Sequence, residues 1–180
     1  MARSARLLST KRGLQGAMDA KIRIEPVTTD ADLAAVRTLL KEYWDSFGFA
    51  PCFQNFGAEL DGLPGAYAAP AGRLALVRVE GEPAGCVALR RMDDRRAEPK
   101  RLYVRPGYRG LGLGRSLLQW VMDEARAMGY TELAGDTMPQ MREALALYRQ
   151  MGFECSAAPE SGEGGNLQTE AEPILIRIAL

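Results

Sequence analysis

The chain contains no histidine. That absence removes Ser-His-Asp and Cys-His catalysis, histidine-ligated metal sites and the side chain that ordinarily titrates near neutral pH. Any proton transfer falls to carboxylates, tyrosine, lysine, cysteine, backbone or water. Cysteine is scarce as well: Cys52, Cys86 and Cys155 are far apart, odd in number and without metal-ligand spacing. They indicate neither a zinc site nor a disulfide framework, and they suit a reducing cytoplasm. No apolar run approaches the roughly 18 residues of a membrane-spanning helix. Nor is there an excess of either charge: Lys+Arg and Asp+Glu each number 23, for a formal net charge of +0. No global field points to nucleic acid or a membrane surface as partner.

What remains is ordinary globular material, 180 residues with 47% apolar and 26% charged, enough for one domain with a real core. The charge is uneven along it. Residues 1–20 carry Arg3, Arg6, Lys11 and Arg12 against Asp19, a net of +3 that leaves −3 on the rest. This basic, Ser-containing stretch superficially resembles an organelle transit peptide. The expectation is a disordered extension, with Met18 as an alternative start and the domain proper over residues 21–180.

That domain opens at "KIRIEPVT", where Ile22 and Ile24 alternate with charges and Pro26 ends a strand. Thr29 and Asp32 make a capping box for a helix with Leu33, Val36, Leu40, Tyr43 and Phe47 on one face, stopped by Gly48. "CFQNFGAEL" reads as a second short helix and "DGLPGAYAAPAG" as a loop. "RLALVRVE", "AGCVALRRM" and "EPKRLYV" form a meander joined by the turns "GEP" and "DDRR". The pattern then changes to a glycine-rich turn and a helix carrying Leu117, Val121, Ala125 and Met128, capped by Gly129. "TELAGDT" is a strand. "MREALALYRQMG" is a helix with Ala144, Leu147, Tyr148 and Met151 inward. "FECS" and "PILIRIAL" are strands flanking a polar, glycine-rich loop. A meander followed by strand–helix–strand units predicts a mixed α/β sheet.

The turn "YRGLGLGRS" sets Gly110, Gly112 and Gly114 at alternate positions between Arg109 and Arg115. Glycine costs chain entropy, so three in five residues need a local reason. Following a strand and opening a helix, they suggest an anion site: the first helical N–H groups lack intrahelical partners, and phosphate reaches them only where no Cβ intervenes. A Rossmann fingerprint fails, because G-x-G-x-x-G puts Leu117 or Arg115 at the third glycine. A Walker loop fails too, lacking its first glycine and its lysine. The pattern [RQ]-x-x-G-x-[GA] is met in full by Arg109 to Gly114.

"KRLYVRPGYRGLGLGRSLL" resembles the acyl-CoA-binding segment of the GNAT superfamily of N-acetyltransferases. "ALALYRQMGF" resembles that superfamily's second signature, at the right order and spacing. The likeness extends through "GEPAGCVALRRMDD" and "IRIEPVTTDADLAAVRTLL", covering roughly residues 21–155 and the last strand. It implies a mixed, mostly antiparallel sheet of about seven strands with flanking helices and a splayed central strand pair. It implies acetyl-CoA as cosubstrate and no metal. Backbone N–H groups between Arg109 and Ser116 (Arg109, Gly110, Leu111, Gly112, Leu113, Gly114, Arg115, Ser116) would hold the pyrophosphate. Leu102, Tyr103 and Val104 would bond the pantetheine arm in the wedge beside "TELAGDT".

The resemblance also implies roles in transfer. Tyr148 takes the position of a proton donor to the leaving thiolate; packing in a core stripe is the alternative. Glu98, eleven residues before Arg109, takes the position of a base acting directly or through water; an exposed glutamate pairing with Lys100 or Arg101 is the alternative. The Val104 N–H is a candidate oxyanion donor. Tyr43, Trp44, Phe47, Phe53 and Phe56, with Glu42 and Asp45, lie where an acceptor would bind, although such aromatics also suit a core. Cys52 has no histidine to activate it and reads as structural. The implied function is acetyl transfer from acetyl-CoA to a primary amine on a small molecule, with no nucleic-acid or membrane partner. An acyl-CoA-binding sensor is the alternative, and a homodimer stays open.

Overall fold

The computed structural model describes residues 21–47, 56–157 and 172–180. Within them the strands are β1 (Ile22–Pro26), β2 (Arg73–Val79), β3 (Glu82–Arg91), β4 (Arg96–Val104), β5 (Glu132–Thr137), β6 (Glu154–Ala157) and β7 (Ile174–Ala179). The helices are α1 (Asp30–Asp45), α2 (Phe56–Asp61), α3 (Leu113–Ala127) and α4 (Arg142–Gln150), with single 3-10 turns at Gly65–Tyr67 and Pro106–Tyr108. The basic extension, Gly48, Cys52, Phe53 and the stretch from Pro159 to Ala171 lie outside the described residues.

Local chemistry explains most boundaries. Thr29 caps α1: its Oγ1 accepts from the Asp32 N–H at 3.1 Å, as in a capping box, and its hydroxyl donates to the Asp32 carboxylate at 2.8 Å. The β2–β3 hairpin turns on Glu80 and Gly81, with φ of 53° and 87°, the two positive values a type I′ turn requires. α3 ends at Met128, after which Gly129 adopts φ of 88°, a left-handed stop.

The strands make one sheet in the order β1-β2-β3-β4-β5-β7-β6. Every pair is antiparallel except β4–β5. This is the mixed, mostly antiparallel sheet expected. Helices cover both faces. Ala75, Val77 and Val79 of β2 pack with Leu117, Leu118 and Val121 of α3. Leu74 and Leu76 point the other way, against Val36, Leu39 and Leu40 of α1. With both faces buried, β2 reads as a continuous apolar run rather than an alternation.

Two irregularities in β4 position the site. First, the parallel ladder with β5 holds only Arg96↔Glu132 and Ala97↔Leu133, and the strands part beyond it. Pro99 follows two residues later, and a residue without an N–H helps to end a ladder. Second, Cys86↔Tyr103 and Ala88↔Lys100 enclose one extra residue on β4. At this bulge Arg101 takes φ of 57°, and neither Arg101 nor Leu102 has a register partner on β3.

The inner face of α4 differs from the periodicity reading. Leu145 and Tyr148 are its buried residues, whereas Ala144, Leu147 and Met151 are half-buried. The reason lies in what α4 faces: Ala144 and Leu147 line an open cleft rather than a closed core.

Candidate active site

The three glycines have two different causes. Gly110 and Gly112 adopt φ of 84° and 76°, and a Cβ at either would meet nothing within 4 Å. Their constraint is the left-handed backbone itself, beside open space. Gly114 has no such φ; a Cβ there would come 3.4 Å from Leu147 Cδ2 of α4. Gly112 caps α3 without any side-chain hydrogen bond. The first bond back into the turn is from the Ser116 N–H to the Gly112 carbonyl, at 3.1 Å. The Leu113, Gly114 and Arg115 N–H groups therefore precede the helical ladder, where the helix end carries about half a positive charge.

These groups open onto a cleft of about 960 Å³ between β4, the turn and α4. Leu102, Tyr103, Val104, Arg109, Gly110, Gly112, Leu113, Gly114 and Arg115 line it. Leu111 and Ser116 are not on its wall: Leu111 packs against the core, and the Ser116 hydroxyl donates back to the Gly112 carbonyl at 3.3 Å. Arg109 reaches Glu143 at 3.3 Å, and Arg115 donates to Gln150 Oε1 at 3.2 Å. Arg142 is a third cation on the wall. Nothing in the linear sequence marked it, because its place follows from how α4 packs across the turn. Uncapped N–H donors with three guanidinium groups can hold a polyphosphate.

A second, smaller space lies at the parting of β4 and β5. There a cavity of about 50 Å³ is bounded by Tyr43, Lys100, Leu102, Asp136, Met141 and Tyr148, among others. Tyr43 and Leu102 line both spaces. Tyr148 is buried, its ring centroid 5.1 Å from that of Phe153. Burial pushes its hydroxyl well above the ordinary 10, with the charges of Tyr43, Glu98 and Asp136 adding to the shift. Burial likewise pushes Tyr43 up to about 12. Both hydroxyls hold their protons at neutral pH.

Glu98 is not the exposed strand glutamate of the alternative reading, being only 2% exposed, but it does pair with Lys100 as that reading expected. Its Oε2 accepts from Arg90 Nε at 2.5 Å, and its Oε1 lies 2.7 Å from Lys100 Nζ. Lys100 also reaches Asp136 of β5 at 3.4 Å. Opposite stands Gly135, where an added Cβ would meet Glu98 Cγ at 3.0 Å. Arg101 turns elsewhere. It grips Glu59 of α2 through two nitrogens, Nε at 2.7 Å, and Tyr67 donates to the same carboxylate at 2.7 Å.

The aromatic stretch around α1 is partly a packing unit. Trp44 stacks on Phe56 at 4.4 Å, and Arg101 lies 5.7 Å from the Phe56 ring. Tyr43 packs against Phe47 at 4.6 Å and Tyr103 at 5.3 Å. Glu42 is committed to Arg105 by a bidentate pair at 2.8 and 2.7 Å. Asp45 is exposed at the end of α1.

Comparison with known proteins agrees with this geometry. A model of the acetyltransferase (GNAT) family matches residues 33–153. An uncharacterized N-acetyltransferase of Schizosaccharomyces pombe is 36% identical over 135 residues, 74% of this chain and 83% of the relative. The fold matches an acetyltransferase of Streptococcus agalactiae with a TM-score of 0.71 at 21% identity, over 88% of this chain and 98% of that one. It also matches an acetyltransferase of Salmonella typhimurium solved with acetyl-CoA, with a TM-score of 0.64 at 20% identity, over 89% and 94% of the two chains. The chain belongs to the acetyltransferase (GNAT) family and is an enzyme of the N-acetyltransferase class.

Proposed function

We propose that this enzyme transfers an acetyl group from acetyl-CoA directly to a primary amine carried by a small molecule. One observation supports the reading most: the space beside the uncapped helix start, suited to pyrophosphate, shares Tyr43, Leu102, Met141 and Ala144 with the cavity where Tyr148 and Leu102 meet. A coenzyme whose phosphates rest on Gly110 to Arg115 directs its arm along Leu102, Tyr103 and Val104 to that cavity.

Positioning of thioester and amine supplies much of the rate. The bulge supplies polarisation. Leu102 has no register partner on β3 and lines both spaces, whereas Val104 lies on the wide cleft alone. Backbone N–H groups of this stretch of β4, at Leu102 and Val104, are the candidates to stabilise developing negative charge on the thioester oxygen. Tyr148 protonates the departing sulfur; its buried hydroxyl retains the proton until a thiolate forms beside it. Glu98 takes the proton of the attacking amine, directly or through water. Arg90 and Lys100 flank its carboxylate at 2.5 and 2.7 Å, and the proton passes on to solvent.

The test is release of free thiol from acetyl-CoA in the presence of a panel of primary amines, with coenzyme binding followed by calorimetry. The expected result is saturable binding and thiol release stimulated by amine. Saturable binding without stimulated release by any amine would leave a coenzyme-binding protein and overturn the transferase reading.

A further inference from the structure

The wedge already contains a primary amine. Lys100 is one of only four lysines among 23 basic residues, the others being Lys11, Lys21 and Lys41. Lys21 and Lys41 are exposed at the surface. Lys100 instead lines the small cavity together with Tyr148 and Leu102, with its side chain 18% exposed. Its ammonium stands between Glu98 at 2.7 Å and Asp136 at 3.4 Å. An acceptor amine needs this environment: a carboxylate within proton-transfer reach, a thiolate-protonating hydroxyl on the same cavity, and walls shared with the coenzyme cleft, here Tyr43, Leu102, Met141 and Ala144. The flexible four-carbon stem of lysine lets the nitrogen leave its ion pairs and advance on a bound thioester.

We infer that Lys100 is a self-acetylation site, an inference that rests on the transferase reading of the same cleft. The Lys100 ammonium gives one proton to the Glu98 carboxylate, which passes it to water. The freed lone pair forms a bond to the thioester carbon. The C–S bond breaks, and its electrons leave on sulfur. Sulfur takes a proton from Tyr148, which regains one from the nitrogen as the amide forms. One ammonium and one thioester become one amide, one thiol and one released proton.

The modification alters the site that makes it. A neutral amide replaces the cation between Glu98 and Asp136, leaving Arg90 as the partner of Glu98. The acetyl group also occupies part of a cavity of about 50 Å³. Self-acetylation therefore regulates transfer to external amines by removing charge and space at once.

The test uses the full chain and acetyl-CoA alone. Coenzyme binding is measured by calorimetry, and acetylation is located by peptide mass mapping over a time course at two protein concentrations. The expected result is an acetyl group on Lys100 that forms at a rate independent of protein concentration and saturates with acetyl-CoA, at least about tenfold faster than on Lys21 or Lys41. Bound coenzyme with Lys100 unmodified overturns the inference while leaving the transferase reading intact. So does labelling of Lys100 no faster than that of the surface lysines, which is simple chemical acylation, or a rate that rises with protein concentration. Failure to bind acetyl-CoA overturns both readings.

Discussion

The glycine turn and the β4–β5 wedge line two spaces that share Tyr43, Leu102, Met141 and Ala144, and they are built on opposite principles. In the turn the backbone sets the site, with side chains missing where it bends: Gly110 and Gly112 hold left-handed backbone beside open space, and α3 begins without a side-chain cap. In the wedge, backbone irregularity only prepares the ground, and side chains from four elements meet. Tyr43 comes from α1, Glu98 and Lys100 from β4, Asp136 from β5 and Tyr148 from α4. A backbone site constrains residue type at each position, because a single Cβ matters. A side-chain site constrains only what the assembled surroundings can satisfy. Substitutions in the turn should therefore change binding, and substitutions in the wedge should change chemistry.

The largest effect is expected at Glu98. Glu98→Gln removes the proton acceptor and leaves Arg90 and Lys100 facing a neutral amide, so turnover at saturating acetyl-CoA falls by roughly 10²-fold or more. Steady-state kinetics across pH measure it, and an unchanged rate and acid limb would return Glu98 to a purely structural role. Next comes Tyr148→Phe, which keeps the ring on Phe153 and deletes only the hydroxyl. The chemical step in single-turnover experiments falls by roughly 10- to 10³-fold, within and below the range for a general acid. Coenzyme affinity stays constant, because the lost interaction matters as charge develops on sulfur. A chemical step equal to wild type removes Tyr148 from the chemistry without touching the binding site.

Gly112→Val tests the other end. Valine at φ of 76° is strained, and its methyl groups enter the space beside the helix start. Acetyl-CoA affinity falls about tenfold, roughly 1.4 kcal/mol, while the chemical step of the bound complex is preserved. Calorimetry and single-turnover rates on the same sample separate the two. A variant that binds normally but reacts slowly would erase the distinction between turn and wedge.

The smallest effect on binding and chemistry is expected at Glu59, which anchors the bulge through Arg101 and acts on stability instead. Burial pushes its carboxyl up, but hydrogen bonds from Arg101 and Tyr67 outweigh that and hold it below its ordinary 4.5. A depressed value contributes stability that is fully present above pH 4.5 and lost as pH falls through the lower folded value. Glu59→Gln should cost about 1–2 kcal/mol at neutral pH. It should also flatten the fall in Tm below about pH 4.5 relative to wild type. Thermal melts at several pH values read both; parallel Tm curves would show that the carboxylate carries no linkage.

Legibility followed the same divide. "LYRQMGF" is readable only through its resemblance to the GNAT signature, whereas "RGLGLG" is readable as an anion turn because local backbone geometry admits few residues there. The capping box at Thr29 and the apolar runs of β2 and β3 were readable for like reasons. Arg142 was not, since α4 reaches the cleft only by packing across the turn. Gly135 was not, since its smallness answers to Glu98 on a neighbouring strand. Glu98 itself was named as a candidate, but its burial and its Arg90 partner depend on β3 pairing with β4 in one register, Arg90↔Glu98.

The sequence by itself thus determined the order of elements, the absence of any histidine chemistry and the place of the glycine turn, all properties of local backbone or of composition. The tertiary structure alone decided that β4 and β5 part after two rungs, that Arg101 turns away to Glu59, and that Lys100 stands between two carboxylates beside Tyr148. The physical reason is that steric and hydrogen-bonding limits on the backbone act within a few residues. Charge pairing and burial act through space, between residues as distant in the chain as Glu59 and Arg101.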